Sequence, residues 1–263
     1  MAKVEVLVAC MHQKDDSLYR QMNLHSDCVL ANQCDEHSYR EYTQPDGNIV
    51  KLVSSQDRGV GKNRNKALQY ASGEFLMFAD QDMIYEDDYV QKVQEAFEKC
   101  PRADMIIFKL RYLNRLTFGK AETMTFKRLH IWNAMRYGTA RVAIRKSAVD
   151  KGCLSFSTLY GGGAKYSSGE DSLFIREAFR KGLKIYAAPV TIATVKQETS
   201  SWFTGFHDKY FTDKGVLIAN TFPVMKHLLV YYFAYRMRNA SKEHNFGKVC
   251  RLMKQGFREF KRM

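Results

Sequence analysis

Asp80-Gln81-Asp82 sets two carboxylates one residue apart, directly after the apolar run Phe75 to Ala79. Paired acidic oxygens at the end of a buried strand suit a hard divalent cation, which takes oxygen ligands and tolerates bound phosphate. Three other groups could join such a site. Asp35 follows a second apolar run, and Glu170-Asp171 opens a helical pattern after a Gly/Ser-rich stretch. Arg58-Gly59-Val60-Gly61-Lys62-Asn63-Arg64-Asn65 puts two glycines and three cations before a helix. There the backbone N–H groups favour anions and arginine offers bidentate donors to phosphate. Each has a plainer reading too. Asp-x-Asp can be a polar strand exit, Asp35 a turn cap and Arg64 the partner of a core carboxylate. Glu170-Asp171 can be first-turn acids that complement a helix dipole. Arg58 to Asn65 matches neither a Walker loop nor a G-x-G-x-x-G fingerprint.

The elements that must position these residues alternate. Val4 to Cys10, Cys28 to Ala31, Ile49 to Ser54, Phe75 to Ala79 and Met105 to Phe108 read as strands. Between them Asp15 to Leu24, Gly61 to Ala71 and Glu86 to Cys100 read as helices, the last with Tyr89, Val90, Val93 and Phe97 at helical spacing and Pro101 behind it. Such alternation predicts an α/β fold with a mostly parallel central sheet and helices on both faces. Ligands then sit at the sheet's carboxyl edge, where Asp35, Arg64, Asp80 and Asp82 all fall. Beyond Lys109 the segments are short and aromatic; Glu170 to Lys181 predicts a helix and Leu183 to Ala187 a strand.

The 263 residues carry a net charge of +13, unevenly placed: from Lys226 onward ten Lys/Arg face two Asp/Glu. A basic end suits nucleic acid, phosphorylated ligands or an anionic membrane. Val249, Leu252, Met253, Phe257 and Phe260 recur at helical spacing among Lys248, Arg251, Lys254, Arg258, Lys261 and Arg262. This helix either lies on a membrane or packs its stripe on the catalytic domain with its charges facing water, and both readings stand. The apolar Leu228 to Tyr235 could extend a membrane contact or mediate dimerisation. No stretch reads as a span, since Val216 to Ala234 is broken by Asn220, Pro223, Lys226 and His227. The six cysteines form no Cys-x-x-Cys pair. With no signal peptide legible at Met1-Ala2-Lys3-Val4, a cytoplasmic location with reduced thiols is expected, and the basic end allows a peripheral place on the membrane's inner face.

Five segments in order resemble the family 2 glycosyltransferases, inverting enzymes of GT-A fold: Val6-Leu7-Val8-Ala9, Gly59 to Asn65, Ala71-Ser72-Gly73-Glu74, Asp80-Gln81-Asp82 and Gly169-Glu170-Asp171. Ala31-Asn32-Gln33-Cys34-Asp35 and Phe211-Thr212-Asp213-Lys214-Gly215 look more narrowly like bacterial members that build surface polysaccharides. The resemblance implies transfer of a sugar from a nucleotide-sugar, a UDP-sugar by preference, to a hydroxyl of a glycan acceptor, lipid-linked in many such systems. It assigns Asp35 to the uracil imide, Arg64 to the nucleotide, and Asp80 to the ribose or the metal. Asp82 would ligate Mn2+ or Mg2+, Asp171 would be the general base, and Glu170 would orient that base or hold the acceptor. Residues 1–110 would form the nucleotide-sugar-binding half and 111–200 the acceptor-binding half of one GT-A domain, with 201–263 a helical basic extension. Gly161 to Gly163 would be a close-approach loop near the donor sugar, or simply a turn.

The family often has an acidic residue where Gln81 stands, which leaves the metal requirement open. His207, among aromatics, reads as structural and stays outside the metal site. Two other functions compete. A sugar-phosphate nucleotidyltransferase would carry a basic, glycine-rich loop after the first strand, whereas here Met11-His12-Gln13-Lys14-Asp15 follows. A nucleic-acid-binding protein would need stacking aromatics in a basic groove, and the acids from Asp80 to Asp88 repel phosphate unless a metal intervenes.

Overall fold

The computed structural model describes residues 2–113, 124–196, 205–238 and 243–261. Met1 and Arg262, which figure in the sequence reading, lie outside the described residues. The chain divides into two compact units, one of residues 1–158 and 170–199, the other of residues 159–169 and 200–263.

Among the described residues, the first unit is built on a ten-stranded mixed sheet. Its strands are β1 (Val4–Met11), β2 (Asp27–Gln33), β3 (Ser38–Thr43), β4 (Ile49–Ser55), β5 (Phe75–Asp80), β6 (Met83–Tyr85), β7 (Met105–Tyr112), β8 (Lys127–Arg128), β9 (Val142–Arg145) and β10 (Ile185–Val195). Its helices are α1 (Ser17–Gln21), α2 (Val60–Tyr70), α3 (Tyr89–Lys99), α4 (Ile131–Ala134), α5 (Lys146–Gly152) and α6 (Glu170–Arg180). The order is β3-β4-β2-β1-β5-β9-β7-β10-β6, with β8 beside β10. β4, β2, β1 and β5 run parallel, and these are the near-continuous apolar runs, as burial on both faces requires. The strands that the sequence left unassigned, β3, β6, β8 and β9, all pair antiparallel. They are short or polar and show little period-2 pattern.

Two apolar layers flank the sheet. Leu18, Tyr19, Tyr89, Val93 and Phe97 of α1 and α3 cover one face. Ala67, Ala148, Val149, Phe174 and Ile175 of α2, α5 and α6 cover the other. The chain leaves β1 to pair with β2 on one side and β5 on the other, the reversal of strand order at which a ligand crevice forms. The Ala71-Ser72-Gly73-Glu74 segment has a packing reason. The Glu5 carboxylate, fully buried at the start of β1, accepts from Ser72 N at 2.5 Å and Gly73 N at 2.7 Å. A Cβ on Gly73 would come within 2.6 Å of Glu5 Cβ.

The second unit is helical: α7 (Asp208–Thr221), α8 (Lys226–Met237) and α9 (Phe246–Phe260). A Cβ on Gly215 would lie 2.1 Å from Met253 O, and one on Gly256 2.2 Å from Thr212 O, so α7 and α9 meet backbone to backbone. The α9 stripe packs inward: Val249, Met253 and Phe257 share a buried cluster with Phe211, Ala219, Val230 and Ala234. The stripe is thus buried, but on α7 and α8 of its own helical unit, whereas the sequence reading packs it on the catalytic domain. His207 caps α7, accepting from Tyr210 N at 3.0 Å through Nδ1. The glycine-rich loop belongs to this unit. Ser167 N donates to Asp213 at 2.9 Å, Asn220 to Tyr160 OH at 3.3 Å, and a Cβ on Gly169 would meet Leu217 at 2.7 Å.

Candidate active site

Arg64 organises the site. It lies on α2 with its side chain 5% exposed, on the same, inner face of the helix as Ala67, Leu68 and Ala71. The buried residues of α2 are Gly61, Asn63, Arg64 and Ala67. Three neighbours fix the helix. Asn63 donates to Cys10 O at the end of β1 at 3.1 Å, and Asn65 exchanges two hydrogen bonds with the Phe156 backbone at 2.9 and 2.7 Å. Gly61 packs so closely on Ser157 O that a Cβ would come within 2.2 Å. The glycine-to-Arg-Asn segment is thus mainly an anchor, and its three cations do not converge on one anion site. Arg58 pairs with Asp35, Lys62 lies 3.8 Å from Asp57, and Arg64 turns inward.

Three sequence-distant carboxylates meet Arg64. Nη2 donates to Asp80 at 3.0 Å, Nη1 to Asp171 at 2.7 Å, and Glu170 lies 3.6 Å away. The guanidinium also stands over the Phe156 ring, 5.3 Å from its centroid. Burial alone pulls the guanidinium's pKa down, but the charges of Asp171, Asp80 and Glu170 outweigh it and the pKa rises, so Arg64 is always a cation. Its Nε is buried without a hydrogen-bond partner among the described residues.

Asp171 and Glu170 stand in the first turn of α6. Thr139, fully buried in a segment with no readable period, donates through Oγ1 to Asp171 Oδ1 at 2.5 Å. Arg64 uses that same oxygen. Asp171 Oδ2 faces Gly138, where a Cβ would approach to 3.2 Å. Sequence reasoning missed Thr139 and Gly138; the only signal was their place just before the β9 run.

Asp80 ends β5, and Asp82 follows two residues on. The Asp82 carboxyl is held above the usual range by burial and then by the charge of Asp80. Gln81 turns away from both: its Oε1 accepts Met11 N at 2.9 Å, tying the end of β1 to that of β5. Among the described residues no group of three or more His, Cys, Asp or Glu side chains is placed to hold a metal. Asp35 stands apart from the carboxylate cluster, exposed after β2 and ion-paired with Arg58, which also donates to Cys34 O at 2.7 Å. The structure therefore brings Arg64, Asp80, Glu170 and Asp171 together, sets Asp82 beside them, and leaves Asp35 on a separate rim.

The mixed α/β sheet has the GT-A glycosyltransferase fold, and the carboxylate cluster lies at its strand-order reversal. Residues 16–156 match the model for glycosyl transferase family 2, and the chain belongs to that family. Among solved structures it is similar to S. aureus TarS, residues 1–349 in complex with UDP-GlcNAc, at TM-score 0.64 and 16% identity, covering 92% of this chain and 74% of that one. The complex of the same TarS fragment with UDP gives TM-score 0.61 over 92% and 73%. The longer TarS structure gives 0.61 at 15% identity, with 44% of its chain covered. No curated protein matches the sequence. Among the described residues, no helix is long and apolar enough to cross a membrane.

Proposed function

We propose that this glycosyltransferase moves a hexosyl group from a UDP-sugar to a hydroxyl of a glycan acceptor, lipid-linked in its natural setting, by inverting single displacement. The observation that carries the reading is the single guanidinium of Arg64 holding Asp80, from the donor side of the sheet, together with Asp171 at the start of α6. The UDP and UDP-GlcNAc complexes of the TarS relative support a uridine diphosphate donor.

Asp171 is the general base. Thr139 and Arg64 both donate to Oδ1, which orients the carboxylate and leaves Oδ2 to take the acceptor proton. As that O–H adds to the anomeric carbon, the bond to the nucleoside diphosphate breaks from the opposite face, and configuration inverts. Glu170 supports the cluster through Arg64. Arg64 holds Asp80 and Asp171 in place on the nucleotide side of the sheet, and Asp35 accepts from the uracil imide. Asp82 and Asp80 fit a divalent ion, Mn2+ or Mg2+. Asp82 is a half-buried carboxylate whose charge Asp80 makes costlier, and it forms no ion pair among the described residues. Two such carboxylates need the remaining oxygen ligands from diphosphate and water. The ion's chemistry is neutralisation of charge on the departing diphosphate.

The test is thermal melting against UDP, GDP and CMP, each with Mn2+ and with EDTA. A native-state ligand at a hundredfold excess over its Kd stabilises by about 2.7 kcal/mol, a rise of roughly 5–10 °C for a unit of this size. A Mn2+-dependent shift with UDP alone is expected. Asp171→Asn should keep that shift and lose transfer. No shift with any nucleotide, or normal transfer by Asp171→Asn, would overturn the reading.

A further inference from the structure

The second unit has an outward face that its own packing does not use. α8 buries Val230 and Ala234 in the cluster with α7 and α9. Around the helix from these, Leu228, Tyr231, Tyr232 and Tyr235 fall on one side at helical spacing, Val224 stands in the turn before the helix, and all are exposed, Val224 at 92% and Leu228 at 64%. Phe246, at the start of α9, stacks toward Tyr231 with centroids 6.4 Å apart and extends the patch. Cations border it. Lys254 donates to Tyr231 OH at 2.8 Å, and the Arg238 guanidinium lies 4.1 Å from the Tyr235 ring centroid. Arg236 is exposed beside them.

We propose that this face docks the protein on an anionic lipid bilayer. The chemistry matches an interface. Tyrosines are amphipathic rings that settle at headgroup depth, Val224 and Leu228 supply the apolar wedge, and each nearby Lys or Arg adds attraction to anionic lipid. The twelve residues of α8 span roughly 18 Å at 1.5 Å each, too short to cross and suited to lying in the plane. Charge argues against a second copy. A two-fold interface would set the same patch against itself, placing Arg236 and Arg238 against their equivalents. The acids available are few: from residue 226 onward only Glu243 and Glu259 oppose ten Lys/Arg. Glu259 already pairs with Lys165 and Tyr166. Nucleic acid would use the rings and cations but not the exposed aliphatic side chains. The proposal concerns the helical unit and does not depend on which sugar is transferred.

The experiment is co-sedimentation of the whole chain with vesicles of phosphatidylcholine alone and of an equimolar mixture with phosphatidylglycerol, over a salt series. Binding to the anionic vesicles that weakens with salt is expected. The double variant Leu228→Glu/Tyr232→Glu should bind at least about tenfold more weakly, with melting temperature and the UDP-linked shift unchanged. Arg236→Gln/Arg238→Gln should lose the salt-dependent part. Wild-type protein that ignores anionic vesicles, or a double variant that binds like wild type, overturns the proposal. So does salt-dependent binding of a single-stranded oligonucleotide that Leu228→Glu leaves intact, or a concentration-dependent dimer that Leu228→Glu abolishes.

Discussion

Replacing Arg64 with methionine removes one buried cation from among three carboxylates. At an effective dielectric of about 20, a unit charge pair near 4 Å is worth about 4 kcal/mol of gross attraction. Arg64 makes two close pairs, at 2.7 and 3.0 Å, and a weaker one at 3.6 Å. Desolvating the guanidinium offsets much of that gain in the native protein. Removing one member of a buried set costs about 3–5 kcal/mol because the partners stay behind unpaired. Asp80 is 44% exposed and Asp171 28%, so water reaches both, and the lower end, about 3 kcal/mol, is the right scale. For a unit of this size that lowers Tm by roughly 6–12 °C. The assay is a thermal melt at neutral pH in low salt without metal, repeated with Mn2+. The divalent ion should recover more stability in the variant than in wild type, because the carboxylates there lack their internal counter-charge. Arg64→Lys should recover little, since one ammonium cannot replace the fork that reaches Asp80 and Asp171 through separate nitrogens. An Arg64→Met protein melting within about 2 °C of wild type would refute the reasoning, for the carboxylates would then not depend on the guanidinium.

Thr139→Val keeps the shape of the side chain and removes its hydrogen bond to Asp171. It should lower kcat about 10-fold with donor KM unchanged, on the scale of one hydrogen bond to a charged group, and Thr139→Ser should restore the rate. Gly138→Ala, which brings a Cβ to 3.2 Å from Asp171 Oδ2, should also reduce kcat in steady-state transfer assays. Asp82→Asn removes a half-buried charge that Asp80 disfavours. Without metal the protein should melt about 1 °C higher, corresponding to a few tenths of a kcal/mol, and the Mn2+-dependent UDP shift should disappear. The sign follows from the raised pKa: the ionised form is the costly one in the folded state, so neutralisation stabilises. Gly256→Ala forces α7 and α9 apart at a contact with Thr212 O. It should destabilise the helical unit by about 1–3 kcal/mol, read as earlier loss of helical signal on heating, while leaving nucleotide binding intact.

Much of the architecture was legible because it is local. β1, β2, β4, β5 and β7 and helices α2, α3 and α6 lie within a few residues of where apolar runs and helical spacing place them, since burial on both faces of a parallel strand demands an unbroken apolar string. The order of glycine, Arg-Asn, Asp-x-Asp and Glu-Asp segments was likewise enough to point to the family. Less legible were the polar members of the core. Glu5, Asn63 and Arg64 are buried, and no hydropathy pattern marks a polar group whose burial is compensated by partners far along the chain.

What the tertiary structure alone decided is which distant groups meet and which face of each helix is covered. Arg64 reaches Asp171 across 107 positions, and Thr139 joins from a segment with no period. α9 is strongly amphipathic and hides its stripe, whereas α8 is apolar almost all round, so nothing in its spacing says which side stays in contact with solvent. Periodicity records the demands of an element's own backbone. The choice of partner belongs to packing between elements, and here close glycine contacts from α9 onto α7 turned the stripe of α9 inward and left the tyrosines of α8 outside.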